Sequence, residues 1–134
     1  MRMLATSYTL SATTEHDFAV TVERVRAELA SEGFGVLCEI DVQATLKEKL
    51  GVDREPYVIL GACNPPLAHQ ALEAEAELGA LLPCNVVVYT RDGETQIAAI
   101  DPERMLSIVD NPALAPIAGE VRQRLARVVS SAAA

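Results

Sequence analysis

The sequence has no tryptophan, and Phe and Tyr together make up only 4% of its 134 residues. Because half of the residues are hydrophobic, the core has to be built from aliphatic side chains. Basic residues are also scarce, with 11 Lys and Arg against 19 Asp and Glu, for a formal net charge of -8. Binding to nucleic acid or to an anionic membrane surface depends on Lys and Arg displacing counterions. We therefore expect neither partner.

Long apolar runs are missing as well. No run approaches the roughly 20 residues that a membrane-spanning helix needs, and residues 1–10 lack the apolar stretch of a signal peptide. Cysteine is rare, with only Cys38, Cys63 and Cys84. An odd, low number of cysteines without an export signal is typical of a reducing compartment, where thiols stay free. The sequence therefore predicts a cytoplasmic protein with no membrane partner.

The length and the patterning predict one domain over residues 1–134. Most domains have roughly 100–150 residues, and neither a linker nor a repeat divides this chain. The only low-complexity stretch is the tail at residues 130–134. We expect this tail either to extend the last helix or to fray.

Periodic apolar residues predict the order β-α-β-α-β-α-β-β-α-α. The first strand is expected at Met3–Leu10, and Thr14 is expected to cap the first helix. The other strands are expected at Gly35–Asp41, Tyr57–Cys63, Leu81–Tyr89 and Thr95–Ile100, and the other helices are expected to begin at Val42, Pro65, Pro102 and Pro112. One hairpin and several crossover helices indicate an α+β layered domain, with a mixed or mostly antiparallel sheet and helices packed against it.

Two segments are unusual for a plain scaffold. In the first, a buried strand leads through Cys63 and Asn64 into the helix that begins at Pro65. A helix N-terminus favours the thiolate form of a nearby cysteine. In the second, Cys84 and Asn85 repeat the Cys-Asn pair at the start of a later strand. If the two strands are neighbours, the cysteines approach each other, but their spacing is neither Cys-x-x-Cys nor a zinc-finger pattern.

These segments leave three functional hypotheses open. The first is a module that binds a small ligand or a soft metal, or acts in redox chemistry, in a cleft lined by Cys63, Asn64, His69, Cys84 and Asn85. The second is an enzyme in which Cys63 is the nucleophile and His69 the base. The third is a structural or interaction domain whose cysteines are buried and inert. The sequence identifies no cofactor and no reaction.

Several segments resemble domain-of-unknown-function family 302. They are Gly33–Val36, Glu39–Lys47, Ile59–Pro65 and Leu81–Val86, and the resemblance extends over roughly Tyr8–Met105. It implies a compact bacterial or archaeal α+β domain that often stands alone and forms dimers. It brings no reaction with it. Because the family more often has Thr at the position of Cys38, the resemblance also implies that Cys38 is a plain core residue.

The high aliphatic content predicts a homodimer. Helices that cover one face of the sheet leave the other face partly bare, and a two-fold partner is the commonest way to cover such a surface. In the competing hypothesis, the last helix folds over that face through its stripe of Leu114, Ile117, Val121, Leu125 and Val128 and keeps the chain monomeric.

Overall fold

The computed structural model describes residues 2–4 and 6–134. The strands are β1 (Arg2–Leu4), β2 (Thr9–Thr14), β3 (Gly35–Asp41), β4 (Tyr57–Cys63), β5 (Cys84–Arg91) and β6 (Glu94–Ile100). The α-helices are α1 (Phe18–Ser31), α2 (Val42–Leu50), α3 (Pro65–Ala74), α4 (Pro102–Leu106) and α5 (Ala115–Ala133), and two 3-10 segments lie at Ala76–Leu81 and Pro112–Leu114. This architecture confirms the predicted α+β class. No helix among these residues is long and apolar enough to cross a bilayer.

The strands of the described residues form one sheet in the order β1-β2-β6-β5-β4-β3. Every pair in it is antiparallel. Because successive strand residues point to opposite faces, the paired residues divide into two surfaces. One surface packs against α1 and α5, which also pack against each other. We call this surface the helical face and the opposite one the open face.

The helical face carries the main core. Fully buried aliphatic residues from β4, β5 and β6 meet fully buried residues of α1 and α5, among them Leu60, Val86, Ile97, Leu29 and Leu125. Among the described residues buried in this cluster, Phe34 is the only aromatic one, so the core is mainly aliphatic, as the composition predicts. Since α5 lies on the same face as α1, the last helix does not cover the open face.

The N-terminal region differs from the prediction. The expected strand Met3–Leu10 is interrupted, and the chain turns back before Thr9, where the Thr9 backbone N–H donates to Thr6 Oγ1 at 3.0 Å. Thr14 is not the helix cap, because its hydroxyl donates to the Ala133 carbonyl. Asp17 caps α1 instead, and its carboxylate accepts from the Val20 N–H at 2.8 Å. Ala5, inside the expected strand, lies outside the described residues.

A β-bulge in β3 corrects the prediction for Cys38. Val36 pairs with Ala62, but Cys38 pairs with Gly61, so Leu37 is an extra residue in the register. Val36 therefore packs towards the core, whereas Cys38 lies on the open face and is exposed. Regular alternation would have put both on one face. Cys38 is thus not a core residue.

Two helix ends could be assigned only from the structure. α3 ends at Ala74, five residues before Gly79, the first glycine after its start. There the Asn111 side-chain amide donates to the Ala74 carbonyl at 3.0 Å, and the following 3-10 segment buries Leu78. The tail at residues 130–134 extends the last helix, which was one of the two expectations for it. α5 continues to Ala133, and the Arg24 guanidinium donates to carbonyls of its last turn.

Candidate functional site

A cavity of about 310 Å³ lies where β4 ends and β5 begins. We call it the thiol cavity, because Cys63 and Cys84 both line it. Helix α3 forms one wall through Leu67, Ala68 and Ala71, and residues of α4 and α5 complete the lining. The lining side chains are aliphatic, aromatic or sulfur-containing, except for Asn64. The cavity is therefore an apolar space with soft, polarisable groups at one end.

The strand register places the two cysteines at the same end of the sheet. Ala62 pairs with Cys84 across β4 and β5, and Cys63 directly follows Ala62. Cys84 is buried on the helical face, whereas Cys63 is half-buried. Burial and, to a smaller extent, negative charge on the nearby Cys63 together raise the pKa of the Cys84 thiol to about 11. At neutral pH, Cys84 is therefore a protonated thiol and a poor nucleophile.

Asn64 has a structural role in the cavity wall. It caps α3, as predicted: its side-chain oxygen accepts from the Leu67 N–H at 3.3 Å. Its side-chain NH₂ donates to the Glu32 carbonyl at 3.4 Å. Both polar atoms of the buried amide are thus engaged within the protein. Asn64 shapes the cavity but presents little hydrogen-bonding capacity to a ligand.

The other two residues of the predicted site do not join the cavity. His69 is exposed on α3 and is not part of the lining. No hydrogen bond joins it to Cys63 in the described part of the chain, whereas a Cys–His enzyme requires that contact. Asn85 is also exposed, and it lines a second concavity on the open face. As the strand residue after Cys84, it has to point to the opposite side of the sheet.

Residues 2–4 and 6–134 contain no group of three or more His, Cys, Asp or Glu side chains that could hold a metal ion. Two thiols alone fall short of the four ligands that Zn²⁺ usually has in structural sites.

Several lining residues were not among the predicted site residues. Met105 from α4 and Ile117 and Val121 from α5 reach the cavity from more than twenty residues beyond Cys84. For Ile117 and Val121, the only signal in the sequence was the apolar stripe of the last helix. That stripe predicts burial but does not indicate what it packs against.

The three thiols are expected to react in an order that follows their exposure. At pH 8, iodoacetamide should label Cys38 first and Cys63 more slowly. Because its pKa is about 11, Cys84 should react roughly 100-fold more slowly than an ordinary thiol. Peptide mass spectrometry after timed labelling measures each rate, and labelling in urea is the control for intrinsic reactivity. Rapid labelling of Cys84 in the folded protein would contradict its burial.

Comparison with known proteins agrees with this fold. The family described as "Domain of unknown function DUF302" matches residues 10–132. The crystal structure of an uncharacterized conserved DUF302 protein from Bacillus stearothermophilus is similar, with 34% sequence identity and a TM-score of 0.89. The match covers 95% of this chain and 99% of that one. Comparison with curated proteins finds no match. With the family matched from β2 to the end of α5, the chain belongs to the DUF302 family.

Proposed function

We propose that this domain binds a small, uncharged and mainly apolar molecule in the thiol cavity. The observation that carries the proposal is one apolar space at the junction of β4, β5 and α3, whose lining includes Cys63 and Cys84. The volume of about 310 Å³ lies at the lower end of the range of roughly 300–1,000 Å³ for small-molecule sites. This size suits a ligand with about two or three rings.

The chemistry of the lining argues for the ligand class. A charged ligand would lose its hydration without a compensating charge, since the lining contains no Asp, Glu, Lys, Arg or His. An apolar ligand gains from the aliphatic wall, and sulfur atoms such as that of Met105 make favourable contacts with aromatic rings. The soft-metal hypothesis receives less support, because the described residues contain no group of three or more ligating side chains. The redox hypothesis receives less support, because the raised pKa of Cys84 disfavours its thiolate.

The test is a fluorescence titration with N-phenyl-1-naphthylamine, an uncharged apolar probe. The wild-type protein is compared with Ala68→Phe, which fills the cavity from α3. Its matched control is Gln70→Phe, which places the same ring on the exposed side of the same helix. We expect Ala68→Phe to weaken binding at least about tenfold, or 1.4 kcal/mol, and Gln70→Phe to bind like the wild type.

A second measurement distinguishes binding in the thiol cavity from nonspecific binding to the protein surface. Bound probe should slow the labelling of Cys63 by iodoacetamide and leave that of exposed Cys38 unchanged. Equal binding by all three proteins, or no binding by the wild type, would remove the proposal. The hypothesis of a structural or interaction domain would then stand.

We also propose that the domain forms a homodimer, through the segment at residues 37–52. This segment contains half of the large apolar side chains that are exposed in the described residues: Leu37, Ile40, Leu50 and Val52. Its helix α2 has no buried residue, and β3 is an edge strand of the sheet. Antiparallel pairing of two β3 edges is two-fold symmetric and would bury these side chains.

Sedimentation equilibrium at micromolar concentration tests the dimer. We expect a mass near twice the 14.3 kDa of the chain, and a mass near 14.3 kDa for Leu50→Lys. Ile108→Lys is the matched control, because Ile108 is 73% exposed and lies outside the segment. A wild-type mass of 14.3 kDa at every concentration would exclude the dimer.

A further inference from the structure

The open face of the sheet carries a second concavity, of about 770 Å³, which shares no lining residue with the thiol cavity. We call it the open-face groove. Ser11, Ala98 and Val87 form one row of its floor, because the register pairs Ser11 with Ala98 and Ala98 with Val87. Tyr8 stands at one side, and Arg54 and Arg91 lie in the lining as well. The groove thus combines an apolar floor with cationic side chains.

Two tyrosines form an aromatic patch beside the arginines. Tyr57 and Tyr89 are register partners on β4 and β5. Their ring centroids are 5.2 Å apart, with an angle of 22° between the ring planes. The Arg54 guanidinium lies 5.0 Å from the centroid of the Tyr57 ring. Stacking and cation–π contacts hold these groups in place, so the arginine end of the groove is preorganised.

The charges of the groove favour an anion. Arg54 and Arg91 form no ion pair with any described residue, although acidic residues outnumber basic ones 19 to 11. Glu55 is the only carboxylate in the lining. Its oxygens accept from the backbone N–H groups of Asp92 and Gly93, at 3.1 and 3.4 Å. The groove therefore has a net positive lining in a chain whose net charge is -8.

One exposed polar group adds hydrogen-bonding capacity. Thr6, Thr9, Ser11 and Asn85 line the groove. The Thr9 hydroxyl already bonds with both Thr6 and Ser11, and Ser11 is buried, so the amide of the exposed Asn85 has the most capacity left for a ligand. Val87, Ala98 and Ile100 provide an apolar strip alongside them.

We infer that the open-face groove binds an aromatic carboxylate. The carboxylate is held by Arg54 and Arg91, whose guanidinium groups match its geometry. The aromatic body lies against the tyrosine pair and the strip of Val87 and Ala98. This site is distinct from the thiol cavity and takes the opposite class of ligand, a charged one.

The test uses 2-naphthoate as the probe and the uncharged 2-naphthamide as its matched analogue, with affinities from isothermal titration calorimetry. We expect Arg91→Gln and Arg54→Gln each to weaken 2-naphthoate binding at least about tenfold. Arg91→Lys should restore part of the loss. Arg104→Gln, which replaces an exposed arginine outside the groove, should bind like the wild type. Both proteins should bind 2-naphthamide more weakly than 2-naphthoate, and this difference should shrink in Arg54→Gln and Arg91→Gln.

Further variants separate this site from the other proposals. Ala68→Phe, which fills the thiol cavity, should leave 2-naphthoate binding unchanged, so the two ligand sites can fail independently. Thermal melting of each variant checks that it is folded. Three results would overturn the inference: no binding of 2-naphthoate at millimolar concentration, binding that survives loss of both arginines, or 2-naphthoate binding that is lost in Ala68→Phe.

Discussion

Leu60→Ala is expected to lower the free energy of unfolding by about 2–5 kcal/mol, the usual cost of truncating a fully buried leucine. Leu60 has no exposed surface and lies on the helical face of β4, where the core residues of α1 and α5 meet the sheet. Removing it leaves a cavity in the tightest part of the aliphatic core. Urea denaturation followed by circular dichroism measures the change.

Ile59→Ala is the matched control for this variant. Ile59 is the preceding residue of the same strand, is half-buried and pairs with Val87 and Ile40 on the open face. Its truncation should cost less than half as much, because solvent already reaches that surface. Equal costs for the two variants would mean that the open face is covered as well as the helical one, as it would be if a second molecule packed on it.

The starts of α2, α3 and α4 were predictable, because they depend on neighbouring residues, whereas Thr14 was wrong as the cap of α1. Asp41 caps α2, and Gly51 ends it with φ +66°. Asn64 and Pro65 start α3 as the sequence indicates. The break before Thr9 and the bulge at Leu37 were not predictable in this way. An alternating pattern is compatible with one strand or two, and a bulge depends on which residues face each other across the pair.

The candidate site was predictable in part for the same reason. Cys63 ends β4 and Cys84 begins β5, so pairing of the two strands brings both residues to the same end of the sheet, where both line the thiol cavity. The direction of the His69 side chain was uncertain, because a small rotation of α3 about its axis decides whether this side chain faces the cavity or the solvent. Asn85 follows Cys84 directly, so strand alternation points their side chains to opposite faces of the sheet. The repeated Cys-Asn pair had instead suggested that both residues belong to one site.

The open-face groove could not be predicted from the sequence. Its tyrosines and arginines come from three separate segments, and each one alone has the pattern of an ordinary surface residue. Only the register of β4 against β5 sets Tyr57 beside Tyr89. The contacts that define the groove therefore join residues far apart in the sequence, and no local sequence pattern predicts them.

Gly61→Ala is the second substitution with a large expected effect. A Cβ atom at Gly61 would lie 2.6 Å from Cys38 Sγ and 2.9 Å from Pro83 Cγ. Both distances are too short for carbon contacts, so β3 or the segment before β5 would have to move. Overpacking of this kind costs about 1–3 kcal/mol. Since Pro83 and Cys84 line the thiol cavity, the same movement should also weaken binding of N-phenyl-1-naphthylamine there.

A double-mutant cycle with Cys38→Ala identifies the cause. Cys38 is exposed, so its own replacement should cost little, but it removes the sulfur atom that meets the new methyl group. The double variant Cys38→Ala/Gly61→Ala should therefore recover about 0.5 kcal/mol or more of the loss, with the remainder due to Pro83. Gly35→Ala is the control, because a Cβ there has no neighbour within 4 Å and should leave stability almost unchanged. Additive effects in the cycle would show that Cys38 does not lie over Gly61, and the bulge that puts it there would then be wrong.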